Sequence, residues 1–101
     1  MKVLGMDVIA EFRAKHVRAQ PYVNAWVAEA KDAAWSSKKD IEAKFRNVDF
    51  RPGNRVIFKI NGDNYRVDIL VHYKANTLLV KRLGSRKEYT AWNWEEALCK
   101  R

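Results

Sequence analysis

Up to about residue 50 the apolar positions recur every three or four residues, and beyond Pro52-Gly53 they alternate with polar ones. That change of period divides the chain into a helical half and a strand half. Lys2 to Leu4 reads as a short strand. A helix is predicted over Val8 to Lys15, capped by Asp7, with Val8, Ile9 and Phe12 on one face. Pro21 suits the first turn of a second helix. There Tyr22, Trp26, Ala30 and Ala33, joined by Val23, Val27 and Ala34, form an apolar stripe that ends near Trp35. Ser37-Lys38-Lys39-Asp40 resembles a capping box, with Asp in place of the usual Glu, and opens a short helix carrying Ile41 and Phe45.

After the Pro52-Gly53 break, Asn54, Val56, Phe58 and Ile60 alternate with Arg55, Ile57 and Lys59. Asn61-Gly62 is the strongest short hairpin signal in the chain. The next strand alternates Tyr65, Val67, Ile69, Val71 and Tyr73 with Arg66, Asp68, Leu70 and His72. Lys74-Ala75-Asn76 then turns into a third strand, Thr77 to Leu83, which Gly84-Ser85 stops. A last helical segment is expected over about Lys87 to Leu98, with Trp92 and Trp94 available for packing. The predicted order is β-α-α-α-β-β-β-α, an α+β fold with N-terminal helices on one face of a small antiparallel sheet. No linker, repeat or low-complexity tract interrupts it, so one domain over residues 1–101 is expected.

Of 101 residues, 48% are hydrophobic and 12% aromatic, enough for one modest core and too apolar for intrinsic disorder. The single cysteine, Cys99, excludes an intrachain disulfide framework and a multi-cysteine zinc site, which favours a reducing compartment. No run approaches the roughly 20 apolar residues of a membrane span. Asp7 interrupts the first apolar stretch before a signal-peptide core can form, so a cytoplasmic protein is expected. The formal net charge is +8 and is unevenly spread. Residues 1–50 carry nine Lys/Arg against seven Asp/Glu, residues 51–101 eleven against five. An excess of that size favours a polyanionic partner, either nucleic acid or an acidic protein segment.

Strand alternation sends Val56, Phe58, Ile60, Tyr65, Val67, Ile69, Val71 and Tyr73 toward the helices, and Arg55, Lys59, Arg66 and His72 to the opposite face. In the third strand Leu78, Val80 and Arg82 compete with Leu79, Lys81 and Leu83 for the core. Placing Lys81 outward, beside the other cations, keeps its charge out of the core. Cations with Leu70 and Leu79 among them make a surface suited to a phosphodiester chain. Neither His16 nor His72 has a Cys or carboxylate at zinc-ligand spacing, and the glycines form no phosphate-cradling loop, so no metal or cofactor is expected. A Ser85, His72, Asp68 triad can be written down, but no motif places it.

Several segments are shared with a known family: Asn54-Arg55-Val56-Ile57-Phe58-Lys59-Ile60-x-Gly62-x-x-Tyr65-Arg66-Val67, His72-Tyr73, Lys81, and Gly84-Ser85-x-x-Glu88-Tyr89. Met1 to Leu4, Glu11-Phe12 near Lys15-His16, Ala25-Trp26, and Ala34-Trp35 to Asp40-Ile41 extend the likeness over nearly the whole chain. The sequence resembles the HigB toxins, members of the RelE-like superfamily. That resemblance implies a small α+β toxin of a type II toxin-antitoxin system, which enters the ribosomal A site and cleaves mRNA there. It also implies a helix-turn-helix antitoxin of the HigA type, with DNA reached only through the antitoxin complex. One departure stands out. Where the family runs Gly-Thr/Ser-His-x-Glu-Tyr-Asp, this chain has Arg86 for the His and Thr90 for the Asp, and Arg does not accept a proton.

Metal-independent RNA cleavage needs the ribose 2′-hydroxyl deprotonated, the phosphate held in line, charge neutralised and the leaving 5′-oxygen protonated. On the resemblance, Arg66 and Lys81 are assigned to the scissile phosphate, with Arg86 beside them. Arg55, Lys59 and Lys87 are assigned to the RNA backbone. For proton transfer the candidates are the Tyr89 phenol and the His72 imidazole. Two other readings share the pattern. One is a double-stranded-RNA-binding-like domain without catalysis; against it, three helical segments precede the sheet. The other is a toxin homologue that binds ribosome and antitoxin without cutting.

Overall fold

The computed structural model describes residues 1–62 and 64–90. In chain order its elements are β1 (Lys2–Leu4), α1 (Met6–Lys15), a 3-10 turn over Val17–Ala19, α2 (Gln20–Asp32), α3 (Lys38–Lys44), β2 (Val48–Arg51), β3 (Arg55–Ile60), β4 (Tyr65–His72), β5 (Thr77–Ser85) and α4 (Arg86–Thr90). The fold is α+β, as the change of period requires. Five strands form one sheet in the order β1-β5-β4-β3-β2. The sheet is mixed rather than purely antiparallel, because β1 joins the edge parallel to β5.

Strand β2 was not foreseen. Its four residues are too short to show a period, and Pro52-Gly53 masks them as a turn. Pairing Val48 with Phe58 and Phe50 with Val56 turns both apolar residues toward the helices and leaves Asp49 and Arg51 on the other face. The β3–β4 hairpin turns where Asn61-Gly62 predicted, both residues having positive φ.

The core lies between the helices and one face of the sheet. Ile9 and Phe12 of α1, Val23, Trp26, Val27 and Ala30 of α2, and Ile41 of α3 pack on Val56, Phe58, Val67, Ile69, Val71, Leu78 and Val80. Phe58 is the hub of an aromatic cluster, with ring centroids of Trp26, Trp35 and Phe45 at 5.4, 5.8 and 4.8 Å. The buried stripe of α2 is narrower than expected: Tyr22 is 44% exposed, and the helix ends at Asp32, before Ala33 and Ala34.

Local chemistry corrects two boundaries and one cap. Helix α1 starts at Met6, with Gly5 rather than Asp7 as N-cap, because only a glycine fits there. Gly5 has φ +86°, and a Cβ on it would stand 2.6 Å from the Val80 carbonyl oxygen. At α3, Ser37 is the N-cap but makes no side-chain cap bond. Asp40 instead accepts from the Ser36 N–H at 2.8 Å and the Ser36 hydroxyl at 3.1 Å, which lowers its pKa, the backbone donor acting most. Strand β5 runs through Gly84 to Ser85, and α4 follows at once. The remainder of the expected C-terminal helix, with Trp92 and Trp94, lies outside the described residues.

Neither alternative for the third strand holds along its whole length. Asp68 pairs with Arg82 but Ile69 pairs with Val80, so Lys81 is the extra residue of a β-bulge. The bulge switches parity mid-strand. Leu78 and Val80 face the core before it, and Leu83 faces the core after it. Arg82 thereby lies across from Asp68 on the opposite face, while Lys81 is exposed.

Candidate active site

On the face away from the helices, register aligns Arg51 with Arg55, Ile57 with Asp68, Lys59 with Arg66, and Arg66 with Gly84. This face is not a simply solvated one. Arg66 is 5% exposed, and Ile57 and Asp68 are fully buried although none of the three belongs to the helix-facing cluster.

A buried carboxylate is costly unless ion-paired and hydrogen-bonded, and Asp68 is both. The Arg55 guanidinium grips it from β3, with Nε donating to Oδ1 at 3.1 Å and Nη2 to Oδ2. From β5, Arg82 Nε donates to Oδ2 at 2.9 Å. Three central strands are thus locked together by one charge cluster. The Arg55 side chain assigned to RNA is engaged with Asp68 in the sheet, and Arg82, which the sequence reading left as an undecided strand residue, is its counterpart.

At the opposite end of β4 from His72, Arg66 projects beside the start of α4. Its guanidinium carbon lies 4.6 Å from the centroid of the Tyr89 ring, a cation–π stack. Lys59 is the direct cross-strand neighbour of Arg66, and Gly84, its neighbour on β5, has no side chain to crowd it. The stack depends on where α4 sits. The Arg86 N–H donates to the Asn64 carbonyl of the hairpin loop at 2.8 Å. Ser85 and Glu88 close a reciprocal capping box: Ser85 N–H donates to Glu88 Oε1 at 3.0 Å, and Glu88 N–H to Ser85 Oγ at 3.3 Å. The same Oε1 stands 3.1 Å from His16 Nε2 at the end of α1. The Glu88 carboxyl is therefore held below the usual carboxylate range, chiefly by the Ser85 N–H, with the Ser85 hydroxyl and His16 adding and partial burial opposing.

The HigB toxin family, the RelE-like toxic component of a toxin-antitoxin system, matches residues 19–92. The chain belongs to this family. Comparison with individual curated proteins gave no match. A HigB-family toxin has a cognate antitoxin, so the chain is the toxic half of such a pair.

Of the HigB-type site residues expected from sequence, the structure brings Arg66, Tyr89, Arg86, Lys59 and Lys87 to one end of the sheet. His72 is not among them. It is exposed at the far end of β4, six residues from Arg66, about 20 Å at the rise of a strand. Lys81 lies between, on the bulge. Arg86 occupies the first position of α4 and is exposed, as is Lys87. Sequence reasoning missed His16, Glu88 and Ser85 as a supporting set. The Ser85-x-x-Glu88 spacing was the available signal. Among the described residues no three His, Cys, Asp or Glu side chains gather to hold a metal ion, and no helix is long and apolar enough to cross a membrane.

Proposed function

We propose that this toxin is an endoribonuclease that cuts mRNA in the ribosomal A site by attack of the ribose 2′-hydroxyl on the adjacent phosphate. The observation that carries the reading is the Arg66 guanidinium stacked on Tyr89, beside Lys59 and the first turn of α4. A fixed cation next to a phenol is what such a reaction requires of a protein: charge at the phosphorus and a hydroxyl that exchanges protons. The ring fixes the plane of the Arg66 guanidinium, a group whose geometry and permanent charge match the non-bridging oxygens of a phosphate.

As the 2′-oxygen bonds to phosphorus it loses its proton, and the 5′-oxygen leaves and takes one up. The products are a 2′,3′-cyclic phosphate and a 5′-hydroxyl. Tyr89 is assigned to the proton exchange and Arg66 to the developing negative charge. Arg86 stands where the family carries His and contributes charge only. Lys59 and Lys87 hold flanking phosphates, and Lys81 contacts the backbone further along β5. Arg55 serves indirectly, by holding Asp68 beneath the face, and His72 lies outside the reaction centre. The antitoxin is a helix-turn-helix protein of the HigA type, and the setting is the cytoplasm.

Expression of the chain without antitoxin tests this. Growth should arrest, and translated transcripts should be cut inside their coding regions with cyclic-phosphate ends. Equal cleavage of naked RNA would remove the ribosome from the proposal. Arrest with intact transcripts would make the chain a ribosome binder instead.

A further inference from the structure

We infer that His16, at the end of α1, is a positioning residue for the reaction centre: through Glu88 it sets α4 so that Tyr89 lies over Arg66. The kinetic part of this inference rests on the function proposed above; the structural part does not. Helix α4 follows β5 directly at Arg86, with no loop between them to set its direction. Something outside it must fix its orientation. Glu88 and Tyr89 are successive residues, about 100° apart around the helix axis, so the side chain of one determines where the other points.

Glu88 is tied on the helix side of the sheet. Its Oε1 accepts from the Ser85 N–H at 3.0 Å and stands 3.1 Å from His16 Nε2. His16 is itself held. Its ring stacks on Phe12 at 4.4 Å, and meets the edge of Tyr65 at 6.5 Å. Phe12 is 5% exposed and belongs to the core. The partly exposed imidazole is therefore braced against the edge of the core, and Glu88 is the strap that reaches it. Val8, Glu11, Lys15, Arg82 and Leu83 line the same small cleft. Tyr89 then emerges on the other side, over Arg66. The Ser85 cap and the Arg86 N–H bond to the Asn64 carbonyl fix where the helix starts, but neither holds the face that carries Glu88 against α1. The His16 contact supplies that hold.

The test reads the stack directly, in the full chain. A ring over a guanidinium shifts the Arg66 side-chain proton resonances upfield, and Tyr89→Leu marks their position without the ring. His16→Ala should move the Arg66 resonances at least halfway to that mark. His16→Gln, which keeps an N–H donor at similar reach, should restore most of the shift. On programmed ribosomes, His16→Ala should lower the single-turnover cleavage rate about tenfold, while the half-saturating toxin concentration changes less than twofold, since misplacing one group slows chemistry more than binding. If His16→Ala does not fold, His16→Phe serves: the ring can still stack on Phe12, but no N–H remains to meet Glu88. Arg66 resonances unmoved in a folded His16→Ala or His16→Phe protein would overturn the inference. A parent chain that cuts no RNA would sink the nuclease reading and leave the resonance test intact.

Discussion

Arg66, Tyr89, Asp68 and Gly5 each have a consequence that a single substitution exposes. If Arg66 stabilises the cleavage transition state, Arg66→Ala should lower the rate on the order of 10²-fold, comparable to removing one oxyanion donor. Tyr89→Phe keeps the ring under Arg66 and removes only the hydroxyl, so an equal loss assigns the proton exchange to that oxygen; single-turnover assays on programmed ribosomes measure both. His72→Gln should leave the rate unchanged, given its place at the far end of β4. Asp68→Asn removes the charge that Arg55 and Arg82 share. It should cost about 3 kcal/mol, the low end for a broken buried pair, because both arginines reach solvent. Gly5→Ala should cost roughly 2–4 kcal/mol, combining a left-handed backbone with a Cβ driven into Val80. Urea unfolding midpoints read both stability effects.

Helix α4 is the element on which the site depends, and its cap is an ionised carboxylate. Because the folded-state pKa of Glu88 is lowered, its contribution is fully present above the ordinary carboxylate pKa, about 4.5, and is lost as pH falls through the lowered value. The Tyr89–Arg66 stack should therefore persist across the neutral and mildly acidic range and loosen only below it, as the ring-current shift of Arg66 in a pH titration would show. Ser85→Ala should loosen the stack at all pH values, since it removes the oxygen that accepts the Glu88 N–H. Strand β5 shows a different sensitivity. Its bulge at Lys81 lets Val80 and Leu83 both reach the core, and without it one of them would be forced outward.

Across the described residues, the main apolar core lies on one face of the sheet and most of the sheet's cations on the other, where Ile57 and Asp68 are also buried. Helices cover the face of Phe58 and Ile69, and the other carries Arg51, Arg55, Lys59, Arg66 and Arg82. An antitoxin that masks this face with an acidic segment should bind with an association rate that falls steeply between low and physiological ionic strength. Stopped-flow association at several salt concentrations would show it; an insensitive rate would place the antitoxin on the helical face.

Which residues pack inside was legible from the chain alone for Ile9, Phe12, Val23, Trp26 and Phe58, because a single period governs each element they lie in. The period-two strands likewise placed Arg55, Lys59 and Arg66 together on the outer face, and the family motif singled out Arg66 and Tyr89. Their union was not legible. Residues 66 and 89 lie on different elements, and only the turn from β5 into α4 brings the phenol over the guanidinium. The Asp68 clamp was hidden for a related reason, since Arg82 reaches Asp68 only because an extra residue at 81 resets the strand's parity. His72 shows the converse: alternation fixes a side chain's face but not its distance along the strand from its partners. Sequence determined faces, which are local and set by backbone period; tertiary structure decided neighbours, which depend on how long-range pairing aligns elements far apart in the chain.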